Sequence, residues 1–214
     1  MKLVSVNVGK PQTVNWKGKE VETGIYKESV DGVVKVNSLN LEGDQQADLK
    51  VHGGVSKAVY AYPSEHYEYW KSVYPEKNLD WGKFGENLTT SGVLETEINV
   101  GDQYKIGSAI FEVTEPRMPC YKLGIKMEDD SILKKFLEAN YSGFYFKVVQ
   151  QGELQAGDSI ELVQRDDYGF TVSEMSSLYW NEKKNKPLLE KALGFPKLLD
   201  SWKPFFEDKL KELS

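Results

Sequence analysis

The stretch "EVTEPRMPCYKLG", residues 112–124, holds the single cysteine of the chain and one of its two arginines. Every other basic position but one is lysine, so an arginine here is a selective choice. Arg117 and Lys122 flank Cys120, and neighbouring positive charge favours the thiolate, the form that attacks an electrophile or binds a soft metal. The planar guanidinium can grip an oxyanion through two parallel hydrogen bonds, which a lysine cannot do. Pro116 and Pro119 fix φ and remove two backbone donors, so the segment reads as a stiff turn at the end of a strand. A plainer reading stays open for each residue: a lone cysteine is often a small buried hydrophobe, and Arg117 could serve a salt bridge to Glu112 or Glu115.

A second candidate is "GDQQADLKVHGGVSKAVYAYP", residues 43–63. His52 precedes Gly53 and Gly54, and Lys57 follows; paired glycines let backbone N–H groups turn toward an anion. The phosphate-loop spacing is missing and the next segment reads as strand, so a nucleotide-triphosphate loop is excluded; a tight turn with a solvated histidine is the alternative. The third candidate, "FGENLTTSG" at 84–92, offers Asn87, Thr89 and Thr90 as neutral donors and acceptors, or simply as turn formers. His66 sits in a helical pattern among aromatic residues and reads as a packing histidine. No dinucleotide fingerprint and no metal-ligand His/Glu spacing is present, so neither NAD, flavin nor zinc is expected on this chain.

A net charge of −6 over 214 residues argues against a general binder of double-stranded nucleic acid, which gains affinity by neutralising phosphates. A small anion needs only a local basic cluster. One cysteine excludes an internal disulfide framework. The opening "MKLVSVNVGK" carries too short an apolar run for a signal peptide and no membrane span is visible, so the expected location is cytoplasmic.

These candidates need elements to hold them. "KLVSVNVG", "VVKVNSL", "KAVYAY", "AIFEVTE", "FYFKVVQQG" and "SIELVQ" are rich in β-branched and aromatic residues between Gly, Asp and Asn turns. Their number and spacing predict a mainly β fold, a closed or nearly closed β-barrel over residues 1–166 with a few interrupting helices. "PSEHYEYWKSVY" and "DDSILKKFLEAN" are two such helices. From 167 to 214 the texture turns helical. Thr171 and Glu174 have capping-box spacing, Pro187 opens and Gly194 closes a helix, and Pro204 is expected to break or kink the last one. A subdomain of about three short helices is too small to bury a core of its own. It must pack on the barrel, on a second copy of the chain as a homodimer, or on another partner.

Taken together, the three stretches resemble the MOSC domain, the C-terminal domain of molybdenum-cofactor sulfurase. The matching residues run in the family's order from "GDQQADLKVHGG" through "FGENLTTSG" and "PRMPCYKL" to "GFYFKVVQQGELQAGDSIEL". The helical tail resembles the three-helix domain that follows it in bacterial YiiM-like proteins. Val55 stands where many relatives carry proline after His-Gly-Gly. The resemblance implies a molybdenum cofactor (molybdopterin) bound with Cys120 as metal ligand and Arg117, His52, Lys57, Gly53, Gly54, Asn87 and Lys122 around it. It implies reduction of N-hydroxylated bases such as 6-N-hydroxylaminopurine, with a small N-hydroxylated substrate and electrons from a separate donor reductase. Two other readings stay open: a sulfur carrier or cofactor-delivery protein with a Cys120 persulfide, and a non-catalytic binding module. No pyridoxal-phosphate site is expected in a chain of this length.

Overall fold

The protein is described by a computed structural model over residues 1–47 and 53–213. His52 lies outside the described residues. Twelve strands and six α-helices follow one another: β1 (Lys2–Val8), β2 (Gln12–Trp16), β3 (Lys19–Thr23), β4 (Glu28–Ser29), β5 (Val34–Val36), β6 (Val59–Pro63), α1 (His66–Val73), β7 (Leu88–Ser91), β8 (Gln103–Ile106) and β9 (Ala109–Pro116). The second half holds α2 (Tyr121–Met127), α3 (Ile132–Ala139), β10 (Phe144–Gln150), β11 (Gly152–Leu154), β12 (Ile160–Gln164), α4 (Val172–Ser177), α5 (Lys186–Leu193) and α6 (Lys203–Lys211).

Eight strands form one sheet in the order β12-β8-β9-β10-β6-β7-β1-β4, antiparallel throughout except for the β6–β7 pair. This corrects the expected barrel. Closure needs a continuous ladder between first and last strands, and here β1 is already engaged by β7 and β4. Only one isolated bridge, Lys2 with Ser159, reaches from β1 toward β12, supported by Leu3 N–H to Asp158 O at 2.9 Å and Ile160 N–H to Met1 O at 3.1 Å. The sheet has two ends, and helices are spread along the chain. The fold is mixed α/β.

All six expected strand segments are present, as β1, β5, β6, β9, β10 and β12. "FGENLTTSG", read as loop, instead supplies β7. The hairpin β2–β3 turns at Lys17 and Gly18, with φ of 53° and 79°, the paired positive values of a tight two-residue hairpin turn.

Strand β6 shows how the sheet serves two cores. Val59 and Ala61 face one apolar cluster, while Tyr60 and Tyr62 face the other, as a period of two requires. The second cluster is aromatic, with Tyr67 and Trp70 of α1 and Phe136 of α3 packed on Tyr62. The first cluster joins the sheet to the tail: Phe170, Met175, Leu189, Trp202 and Phe206 are buried in one core with Leu3, Val6 and Phe111. Much of the tail's apolar surface is therefore spent on the sheet, while Tyr168, Tyr179 and Trp180 stay exposed. The Thr171–Glu174 capping box forms as its spacing predicts. Pro204 does not break a helix: it lies in the first turn of α6, where its missing N–H leaves nothing unpaired.

Candidate functional site

The turn after β9 is stiff for the reasons its prolines give. Pro116 still pairs with Phe144 of β10, then the chain leaves the sheet and Cys120, in extended conformation, stands immediately before α2. The turn opens onto a cleft that is open to solvent at its mouth and has a cavity volume of about 100 Å³. Five of the expected residues line it: Lys57, Asn87, Arg117, Cys120 and Lys122. They come from residues 57 to 122, so only the fold brings them together. Gly53 and Gly54 do not line the cleft. Gly54, at φ 93°, makes the turn whose carbonyl accepts from Lys57 N–H at 3.1 Å, and this delivers Lys57 to the wall.

Arg117 is the most unusual of the five. It is 6% exposed, its guanidinium carbon lies 5.3 Å from the ring centroids of both Tyr60 and Phe136, and Nη1 has no hydrogen-bond partner. A buried unsatisfied donor costs on the order of 1–3 kcal/mol, so the sequence keeps it there against stability. Cys120 is half-buried. Asn87 plays a different part from the one its sequence suggests. Its Oδ1 accepts from Tyr60 N–H at 3.1 Å and its Nδ2 donates to Asn7 O at 3.3 Å, so its amide ties β6 to β1 from inside the cleft wall.

Sequence reading missed Lys27, Tyr60 and Tyr145, which also line the cleft. Lys27 is paired with buried Asp44; burial drives its pKa down and Asp44 pulls it back. Tyr60 donates to Ser142 O at 2.9 Å, and burial raises its pKa well above the ordinary value. Tyr145 is pushed up to about 12, by burial first, with Arg117 opposing the rise through charge and a side-chain hydrogen bond. The alternation in "FYFKVVQ" puts Tyr145 opposite Phe144 and Phe146; that was the available signal. The predicted packing role of His66 is what its surroundings show: Nε2 meets Glu95 at 2.7 Å and the ring stacks on Tyr141 at 3.9 Å.

A family model for the MOSC domain matches residues 48–161. The chain belongs to the MOSC family. Its whole length is similar to YiiM from Geobacillus stearothermophilus, whose crystal structure superposes with a TM-score of 0.80 at 33% identity over 98% of both chains. It is 37% identical over 211 residues to the uncharacterized protein YflK of Bacillus subtilis, covering 99% of this chain and 95% of that one. A Gibberella moniliformis protein named "Reductase" is 36% identical over 151 residues, 69% of this chain and 27% of that protein. The chain is thus a YiiM-like MOSC protein, of a family linked to molybdenum-cofactor metabolism.

The residues of the cleft suit such a cofactor. Among the described residues no group of three or more His, Cys, Asp or Glu side chains could hold a metal ion. A metal that arrives on an organic ligand needs far less from the protein: one soft donor and cations for the anionic parts. Cys120, Arg117, Lys57 and Lys122, one thiol and three cationic side chains, line the same cleft. No helix among the described residues is long and apolar enough to cross a membrane.

Proposed function

We propose that this protein is a molybdenum-cofactor-dependent reductase of small N-hydroxylated compounds, bases of the 6-N-hydroxylaminopurine type among them. The carrying observation is the unpartnered Nη1 of buried Arg117 in the same cleft wall as the only thiol of the chain. An orphan guanidinium N–H is explained by a ligand that accepts from it. In this reading Cys120 ligates the metal and Arg117, Lys57 and Lys122 hold the anionic groups. The bound cofactor supplies two electrons. The name of the fungal relative is in keeping with reduction, though this chain spans 27% of that protein. Electrons come from a separate donor protein.

The test is Cys120→Ser in protein made in a molybdenum-replete host. The expected result is a loss of molybdenum content and a fall of about 100-fold or more in reduction of an N-hydroxylated base by an artificial reductant, with the fold retained. Undiminished reduction overturns the role of Cys120. A wild-type protein that carries sulfane sulfur on Cys120 and turns over no such substrate overturns the reductase reading in favour of a sulfur carrier.

A further inference from the structure

Reduction of an N–OH group consumes protons as well as electrons, and a buried cleft must have a group to hand them over. Strand β10 places Tyr145 opposite Glu115 of β9, and the register slips immediately afterwards, where Phe146 pairs with Val113. Such irregularities re-aim side chains beside functional sites. Thr114, skipped by the pairing, donates its hydroxyl both to Tyr145 O at 3.1 Å and to Ser56 O at 2.6 Å. One side chain therefore pins the irregular strand to the turn that carries Lys57. Lys57 Nζ lies 3.9 Å from Glu115 Oε2 and 5.9 Å from the Tyr145 ring centroid. Glu115 Oε2 accepts from the indole N–H of Trp202 at 2.9 Å, while Oε1 is buried without a hydrogen-bond partner.

We propose that Tyr145 is the proton donor to the oxygen that leaves the substrate, with Lys57 and Glu115 behind it as positioning residues; this rests on the reductase reading. The step balances as R–NH–OH + 2 e⁻ + 2 H⁺ → R–NH₂ + H₂O. The cofactor, when bound, would supply the two electrons with which the N–O bond breaks. One proton from the Tyr145 hydroxyl forms an O–H bond on the departing oxygen, and the second reaches nitrogen from water. The tyrosinate left behind faces the Arg117 guanidinium, which stabilises it until solvent reprotonates it past Lys57. Lys57 and Glu115 fix where the phenol stands and the field around it. Trp202 of the tail holds Glu115 in place, so the helical tail reaches the site through one carboxylate.

The test compares wild-type and Tyr145→Phe protein, both loaded with cofactor, using an artificial reductant and an N-hydroxylated base. Phenylalanine keeps the ring that packs on Tyr60, centroids 5.3 Å apart. The expected result is unchanged molybdenum and pterin content, a fall in kcat of about 100-fold, and KM within about 2-fold of wild type. Glu115→Gln keeps an acceptor for Trp202 and should lower kcat less; combined with Tyr145→Phe it should add nothing, because the two act through one group. A Tyr145→Phe enzyme with wild-type kcat overturns the proposal, as does loss of the cofactor itself, which would make Tyr145 part of the binding wall. Absence of turnover in the loaded wild type overturns the reductase reading and this inference with it, and is read before any variant is made.

Discussion

Two buried polar regions lie on either side of the cleft and treat their charges in opposite ways. Behind it, Glu86 is fully buried and fully used: Tyr67 hydroxyl, Gly82 N–H and Thr89 hydroxyl donate to Oε1, and Phe84 N–H donates to Oε2 at 3.1 Å. Lys126 closes the same region by donating to Ile25 O at 2.8 Å and Gly82 O at 2.7 Å. Arg117 Nη1, on the cleft wall, and Glu115 Oε1 are two of the three buried side-chain polar atoms left without a partner among the described residues; the third is Thr90 Oγ1. The two arginines repeat the contrast. Arg165 is half-exposed and satisfied by Asp102 Oδ2 at 2.8 Å and Glu97 O at 2.9 Å, whereas Arg117 is buried and incomplete. Glu86 finds its partners within the fold, whereas Arg117 on the cleft wall is left one short, as a group that a ligand completes would be.

Exchanging the two arginines for lysine sharpens this most. Arg117→Lys keeps the charge but loses the fork, and cofactor retention should weaken by about 1–3 kcal/mol, roughly 5- to 150-fold. Arg165→Lys should change neither retention nor stability beyond about 0.5 kcal/mol, since its pair is partly solvated. Equal losses in molybdenum-to-protein ratio for the two variants would erase the distinction between them.

The satisfied side is challenged by Glu86→Gln. An amide cannot accept at both ends, so one of its nitrogens' hydrogens must face a Phe84 or Gly82 N–H. Thermal or denaturant unfolding should show a loss of about 2 kcal/mol, while any cofactor retained by the folded fraction binds as before. A silent substitution would mean that the network is less committed than its geometry indicates.

The smallest effect concerns Lys126. Burial lowers its pKa to about 7, with Glu86 opposing and Lys83, Lys27 and Arg117 adding to the fall. Between about pH 7 and the ordinary lysine value the unfolded chain binds more protons than the folded one, so this residue makes stability rise with pH across that window. Unfolding of Lys126→Met, followed from pH 7 to 9, should show a flatter dependence than the parent. An unchanged slope would place the charge of Lys126 outside the stability balance.

How far the site could be read beforehand depends on what each residue's neighbours are. Cys120, Arg117 and Lys122 lie in one short segment, so local charge and stiffness were visible as spacing. Lys27 owes its place to Asp44, distant in the chain, and no local pattern announces that; for Tyr145 the alternation gave a face but not the strand partner beside it. The tail's apolar residues announced burial without saying where, because the same Leu and Phe content would serve a sheet, a second copy or another partner.

By itself the sequence determined six of the strand segments, the capping box of α4, the stiff Pro-Arg-x-Pro-Cys turn and the family. These depend on dihedral restrictions, side-chain periodicity and residues adjacent along the chain. The tertiary structure decided that the eight strands end in two edges rather than closing, since β1 spends its pairing on β7 and β4. It also decided that Arg117 is buried without a full set of partners and that Trp202 reaches Glu115. Pairing order and satisfaction of buried polar groups are sums over long-range contacts, and only the folded chain fixes those sums.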